Sequence, residues 1–175
     1  MFATKLIIII AIVFRVLSVV ISLFNEHKLK RVKAVEFGAS NSRLLIIMHV
    51  LFYIACAIEL YINETNLNST ASTYGFCIYL FSIFILYYVI YSLRSIWTFK
   101  LIIAPPDYHH LNKGFLFKYF RHPNYYLSVI PELIGIAIYC HSWHSLLFIF
   151  PIYLIPLIKR IRLEESIMKD HFPEY

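Results

Sequence analysis

Charge is scarce in this chain. Only 15% of its 175 residues are Asp, Glu, Lys or Arg, and 10 are acidic. That excludes the composition of an ordinary soluble domain, where about 25% of residues are charged. With 60% hydrophobic and 18% aromatic residues, the shortage points to a chain whose solvent is largely lipid. Cysteine is scarce too. Cys56, Cys77 and Cys140 lie apart within or beside apolar segments, which excludes a disulfide framework or a closely spaced thiolate site and reads them as small buried hydrophobes. No small-residue cleavage site follows the apolar stretch from Leu6 to Phe24, so that stretch reads as an anchor and not as a removable signal. No internal repeat or low-complexity linker is visible, and residues 1–175 read as one membrane domain.

What is present is long apolar runs. A helix needs ~20 mostly apolar residues to cross ~30 Å of hydrocarbon. Five segments meet or approach that need: Leu6 to Phe24, Leu44 to Ile62, Tyr74 to Ser92, Tyr125 to Tyr139 and Ser145 to Ile158. The expected architecture is therefore all-α, a polytopic bundle of about five transmembrane helices. Arg15 interrupts the first segment, and an arginine at that depth must face protein, most simply a carbonyl or an acid, or snorkel. The last two segments are short and broken by Pro131, Pro151 and Pro156, which is tolerated where neighbouring protein or a water-filled cavity satisfies the freed backbone groups.

Loop charges orient the bundle. The connection from Asn25 to Arg43 carries Lys28, Lys30, Arg31, Lys33 and Arg43, whereas Asn63 to Thr73 carries no Lys or Arg. Cytoplasmic loops are the basic ones, so 25–43, 94–121 and the tail from Lys159 are expected inside. The amino terminus, 63–73 and 140–144 are expected outside. Asn63-Glu64-Thr65 and Asn68-Ser69-Thr70 match a glycosylation acceptor pattern, but a polar turn is the simpler reading. The formal net charge of +6 comes from basic residues flanking apolar runs, which suits a membrane surface and not nucleic acid.

Two charged clusters border the lipid on the expected cytoplasmic side. Arg121-His122-Pro123-Asn124-Tyr125 opens the fourth segment, and Arg160-Ile161-Arg162-Leu163-Glu164-Glu165 leaves the fifth. Residues 1–93 are spans with a basic connection, and 94–175 hold both clusters, so the functional half is expected to be the second. Arg160 and Glu164 are four apart and share a helix face. Pro123 biases His122 towards extended backbone and stops any preceding helix. Glu132, inside a span, must meet a cation, for which Arg121, Arg160 and Arg162 are the candidates. Tyr108-His109-His110 is not read as a metal site: adjacent histidines point apart, no third ligand is spaced to match, and His141 and His144 belong to the opposite face.

Taken together, His109-x-Leu111, the run from Lys118 to Tyr125, Glu132 and Arg160-x-Arg162-x-Glu164-Glu165 resemble the isoprenylcysteine carboxyl methyltransferase family. In the amino-terminal half, Asn25-Glu26-x-Lys28-Leu29-Lys30, Ala34 to Gly38, Asn41-Ser42, His49, Phe52-Tyr53, Glu59, Leu93-Arg94 and Trp97-Thr98-x-Lys100 look like its short bacterial branch, often found beside type III polyketide synthases. The resemblance implies a cytoplasmic S-adenosylmethionine pocket formed by the carboxy-terminal half. It implies that His109, Leu111, Phe117, Arg121, His122, Pro123, Tyr125 and Glu164 line that pocket, that Arg160 meets the anionic oxygen of the acceptor, and that Glu132 braces the site. Phe117 stands where the family usually has tyrosine, Gly114 lies one place early, and Pro105-Pro106 replaces the usual Pro-Gly.

The implied reaction is methyl transfer to an oxygen of a lipidic or prenylated acceptor. Such a nucleophile is already anionic, so positioning suffices without a strong base or a metal. Arg160 would orient the anion by paired donors. Tyr119, Phe120, Tyr125 and Tyr126 would stack on adenine or face the sulfonium, or form an interfacial belt. A greasy acceptor is expected to slide in between spans. The acceptor itself divides between a prenylated-cysteine carboxylate and the hydroxyl of an alkylpyrone or other polyketide. Phospholipid N-methylation would need a base, a sterol-type reductase would need nicotinamide contacts that are absent, and a membrane scaffold is the reading without enzymatic activity.

Overall fold

The computed structural model describes residues 2–64, 67–105, 108 and 114–171, with backbone alone over 2–12. The described residues form six α-helices and one pair of short strands, with a 3-10 turn and two π-helical stretches between them. Helix α1 runs Phe2–Arg31 and ends in Lys28, Lys30 and Arg31, cations that complement the negative end of the helix dipole. The chain turns through Lys33, whose φ is 58°, into strand β1, Val35–Phe37. Gly38, with φ 60°, then starts α2, Ala39–Ile62. There only glycine turns freely, and a Cβ would run into the Leu163 side chain.

Helix α3, Thr70–Leu93, is N-capped by Ser69, whose side chain accepts from the Ser72 amide. A 3-10 turn at Arg94–Ile96 leads to strand β2, Leu101–Ile103. The two strands pair antiparallel in the register Val35↔Ile103 and Phe37↔Leu101. The sequence did not announce this pair, because three-residue strands have no periodicity to read. An isolated ribbon is marginal; this one is backed by Ile167 and Met168, with Phe37 and Leu163 against them.

A short helix α4, Phe115–Tyr119, ends before Pro123, as the pre-proline constraint predicts. Residues Asn124–Val129 then form a π-helical stretch that continues into α5, Ile130–Tyr139. A second π-helical stretch, Ser145–Ile149, continues into α6, Phe150–His171. The expected breaks at proline are thus not interruptions. Pro131 stands just after the first π-helical stretch, Pro151 follows the second, and Pro156 lies inside an unbroken α6. The fifth segment therefore runs straight on through the charged cluster to His171.

Helices α3 and α5 form the centre. Gly75 and Gly135 face each other reciprocally, and a Cβ on Gly135 would stand 2.7 Å from the Tyr79 amide nitrogen. Glycines let two backbones approach this closely, which is how apolar helices pack in lipid. Tyr79, Ile83, Leu86 and Val89 pack there with Leu133, Ile136 and Ala137. Among the described residues two helices, α2 and the run Thr70–Ile96, are long and apolar enough to cross a membrane. Much of α2 presents Leu44, Ile47, Val50, Leu51, Ile54 and Ile58 outward, a surface that water would not tolerate on this scale. Cys56 and Cys140 are buried, but Cys77 is exposed, contrary to the buried reading.

Candidate functional site

The strand pair brings β1, β2 and the carboxy-terminal part of α6 to one end of the bundle. The loop leading to β2 is tied to α1. Asn25 donates to the carbonyls of Arg94 and Trp97, each at 2.8 Å, the Phe99 amide donates to Ser22 Oγ, and Lys100 Nζ reaches Glu26 at 2.7 Å. Burial alone would raise the Glu26 pKa; Lys100 and Lys30 outweigh it and hold the carboxyl below its ordinary value. Glu26 in turn holds the Lys100 ammonium above its own. So fixed, the loop presents the Phe99 carbonyl to α6.

Arg160 is 3% exposed, so it is not half of a surface ion pair. Its Nε donates to Tyr125 Oη at 3.1 Å, Nη1 to Ser42 Oγ at 2.5 Å and Nη2 to the Phe99 carbonyl at 3.3 Å. Tyr125 passes the connection on by donating to Glu164 Oε2 at 2.6 Å, while Arg160 Nε stands 3.8 Å from that same oxygen. Buried His122 lies between two carboxylates, with Nδ1 3.4 Å from Glu164 and Nε2 3.3 Å from Glu165. Burial opposes both charges. Even so, Glu164 sits below the ordinary carboxylate range because His122, Arg160 and Tyr125 surround it, and Glu164 and Glu165 raise His122 above its own.

The structure therefore brings Arg160, Tyr125, Glu164 and His122 together, with Pro123 buried beside them at the start of the π-helical stretch. Phe117 is half-buried against the main core. Arg121 is exposed, and His109 and Leu111 lie outside the described residues. Of the aromatic candidates, Tyr119, Phe120 and Tyr126 are exposed, leaving Tyr125 as the ring inside. Ser42 and the Phe99 carbonyl were not foreseen as Arg160's partners. Ser42 comes from α2, so the site is not built by residues 94–175 alone.

Glu132 does not join this group. Its cation is none of the three arginines expected but Arg15, which donates to both carboxylate oxygens from Nε and Nη2. Tyr53 donates to Glu132 Oε1 at 2.5 Å, and His49 Nε2 is 3.5 Å from the same oxygen. The two clusters look distant in sequence only on α1; on the other helices they share a heptad spacing that could have been counted. At the opposite end of the bundle, Glu59 accepts from the amides of His144 and Ser145, and Ser69 and Ser72 meet His141. These contacts close helix ends.

Sulfonium cofactors need carboxylates for amino and hydroxyl groups and an aromatic wall. Glu164, Glu165 and Tyr125 supply those types, and the buried Asn124 Oδ1 atom beside them has no hydrogen-bond partner, so polar capacity at this end is unspent. The donor set fits such a group.

Comparison with known proteins gives the same direction. The model of the Isoprenylcysteine carboxyl methyltransferase (ICMT) family matches residues 75–170. A relative in Haemophilus influenzae, called "Uncharacterized protein", is 47% identical over 160 residues, covering 91% of each chain. "Uncharacterized protein YpbQ" of Bacillus subtilis is 28% identical over 167 residues, covering 95% of this chain and 96% of the relative. No solved structure matches.

Proposed function

The chain belongs to the isoprenylcysteine carboxyl methyltransferase family, and from that premise we propose that it is an integral membrane, S-adenosylmethionine-dependent O-methyltransferase acting on a lipidic acceptor. The observation that carries the proposal is the chain of contacts from Ser42 through Arg160 and Tyr125 to Glu164 and His122. It joins a buried, fully charged guanidinium to a carboxylate–imidazole pair at one end of an apolar bundle. A structural ion pair would not require so many convergent donors at a lipid boundary.

S-adenosylmethionine, when bound, supplies the electrophilic methyl group. Glu164, Tyr125 and His122 would hold it, Pro123 shaping the turn on which His122 sits, with Phe117, Arg121, His109 and Leu111 as further contacts implied by the family. Arg160 would face the acceptor oxygen. Its guanidinium stays charged at any physiological pH, so it favours the acceptor's anion over the neutral acid and orients a lone pair without itself exchanging a proton. Ser42 and the Phe99 carbonyl keep its planar fork from rotating. Holding the reactants in line is worth about 7 to 11 kcal/mol of the barrier, which is the contribution a site without a strong base can make.

The proposed membrane arrangement is supported by the same frame. The basic connection after α1 and the strand β2 lie with the charged site at one end, and the lysine- and arginine-free connection after α2 lies with residues 140–144 at the other. Five spans with the amino terminus outside and the site in the cytoplasm agree with that distribution. Lipidic acceptors would reach the site laterally.

Calorimetry of detergent-purified protein with S-adenosylmethionine tests the reading. Wild type and Arg160→Ala are expected to bind the cofactor, and Glu164→Ala to lose it; Arg160→Ala is expected to lose methyl transfer to a farnesylated cysteine or a long-chain hydroxypyrone, whichever the wild type accepts. A folded wild type that binds no cofactor would exclude the enzyme and leave a scaffold.

A further inference from the structure

Helix α1 meets the rest of the molecule along one narrow line. Ser18, Ser22, Asn25 and Leu29 are buried, at spacings of four, three and four residues, whereas Leu17, Val19, Val20, Leu23 and Phe24 beside them are exposed. That period marks a single helix face. Leu29 packs with Ile102 and Ala104, but the other three are polar, and on a lipid-bound helix such side chains spend their hydrogen bonds on protein. They do so differently. Ser18 donates to the Arg15 carbonyl of its own helix. Asn25 receives no help from α1: it donates to the carbonyls of Arg94 and Trp97, and the Phe99 amide donates to Ser22 Oγ at 2.9 Å. Ser22 and Asn25 therefore hold the backbone of residues 94–99 and not its side chains.

Phe99 is held on both sides. Ser22 takes its N–H, and the next residue, Lys100, is tied to Glu26 one turn further along α1. Between these two ties the Phe99 carbonyl projects towards α6 and accepts from Arg160 Nη2 at 3.3 Å. Among the described residues Arg160 thus has one acceptor at each nitrogen, Tyr125 at Nε, Ser42 at Nη1 and Phe99 at Nη2. A guanidinium is planar and carries two hydrogens on each terminal nitrogen, so an acceptor that fixes one of them aims the other. Tyr125 is shared with Glu164 on the cofactor side. The connection through Phe99 comes instead from α1.

We propose that Ser22 is a positioning residue for the acceptor: through the Phe99 peptide it aims the second Nη2 hydrogen of Arg160 at the acceptor oxygen, and it takes no part in holding the cofactor. The inference rests on the methyltransferase reading and extends its site to the first helix. Ser22→Ala removes the oxygen to which the Phe99 amide donates, so the peptide can tilt and the Nη2 hydrogen loses its aim. Glu164, Tyr125 and His122 keep their mutual contacts. Ser18 supplies the matched control, a buried serine on the same face whose hydrogen bond closes within α1.

The test uses the full chain in detergent micelles with isotope-labelled arginine. The Nη hydrogens of Arg160, assigned by their loss in Arg160→Lys, are followed by NMR. Ser22→Ala is expected to speed rotation of the Nη2 group about tenfold, and to lower kcat/KM for a farnesylated cysteine or a long-chain hydroxypyrone, whichever the wild type accepts, by a similar factor, the scale of one hydrogen bond. The Kd of S-adenosylhomocysteine is expected to stay as in wild type. Ser18→Ala is expected to change none of the three, and Ser22→Thr, which keeps the hydroxyl oxygen, to restore rotation and turnover. Ser22→Cys, similar in size but a weak acceptor, replaces Ser22→Ala if that variant does not fold. An Arg160 signal unchanged by the loss of the Ser22 hydroxyl, or cofactor binding weakened as much as turnover, overturns the proposal. A wild type that methylates neither lipid strikes the methyltransferase reading alone, and the Arg160 signal then decides whether Ser22 aims the guanidinium.

Discussion

Glu132 has no exposed side-chain surface and Arg15 has little, so each is tolerable only because of the other. Removing one partner of such a pair leaves a buried charge unmatched and costs about 3 to 5 kcal/mol, whereas replacing both with apolar side chains of similar volume is close to neutral. Glu132→Met is accordingly expected to lower the unfolding midpoint in detergent sharply, and Arg15→Met with Glu132→Met to recover most of the loss; if the double variant is no better than the single, the pairing is not what matters. His122 and Glu164 give a pH signature. His122 is raised above its ordinary 6.5, so its contribution is complete below that value and is lost as pH rises through the elevated pKa. Glu164 is lowered below its ordinary 4.5, so its contribution is complete above that value and is lost as pH falls through the depressed pKa. Wild type is expected to gain most over His122→Asn between those two limits, with the difference shrinking on the alkaline side. A difference in midpoint that grows with rising pH would contradict the assigned ion pairs.

Among elements, the contact between α3 and α5 depends on two missing side chains. Gly75 and Gly135 each lie against the backbone of the facing helix, so a methyl group has no side chain to push aside. Gly135→Ala is expected to destabilise by about 1 to 3 kcal/mol, the ordinary cost of overpacking, despite alanine's better helix propensity. Thermal unfolding followed by helical circular dichroism reads this, and a more stable variant would mean that the two helices separate more readily than their packing implies. The π-helical stretches before α5 and α6 explain how prolines sit in the two carboxy-terminal rods. The wider turns come just ahead of Pro131 and Pro151, so neither proline interrupts a regular ladder at mid-length. Continuity of these rods is what places Tyr125 over Glu132 and Arg160 over Tyr153.

For the whole molecule, the strand pair acts as a staple. It ties the segment after α1 to the segment before α4 and holds both against Ile167 and Met168 at the end of α6. The polar site is thus assembled from the first half of the chain as well as the second. The proposed orientation predicts that a cysteine placed at Lys33 is shielded from a membrane-impermeant maleimide in intact cells, while one placed at exposed Trp143 is labelled, both in a background lacking the exposed Cys77. The reverse pattern would invert the topology and put the site outside.

The sequence by itself determined the class of the molecule, because a chain with so little charge and such long apolar runs can satisfy its backbone in lipid only as helices. It also set Arg160 and Glu164 on one helix face and stopped the preceding helix before Pro123, since helix periodicity and the pre-proline constraint are local. Only the tertiary structure decided which cation meets Glu132. Arg15 lies 117 residues away, and a spacing on one helix says nothing about which helix will pack beside it. The partners of Arg160 were decided in the same way: Ser42 and the Phe99 carbonyl become neighbours because two three-residue strands pair, and elements so short leave no period in the sequence from which their pairing could be read.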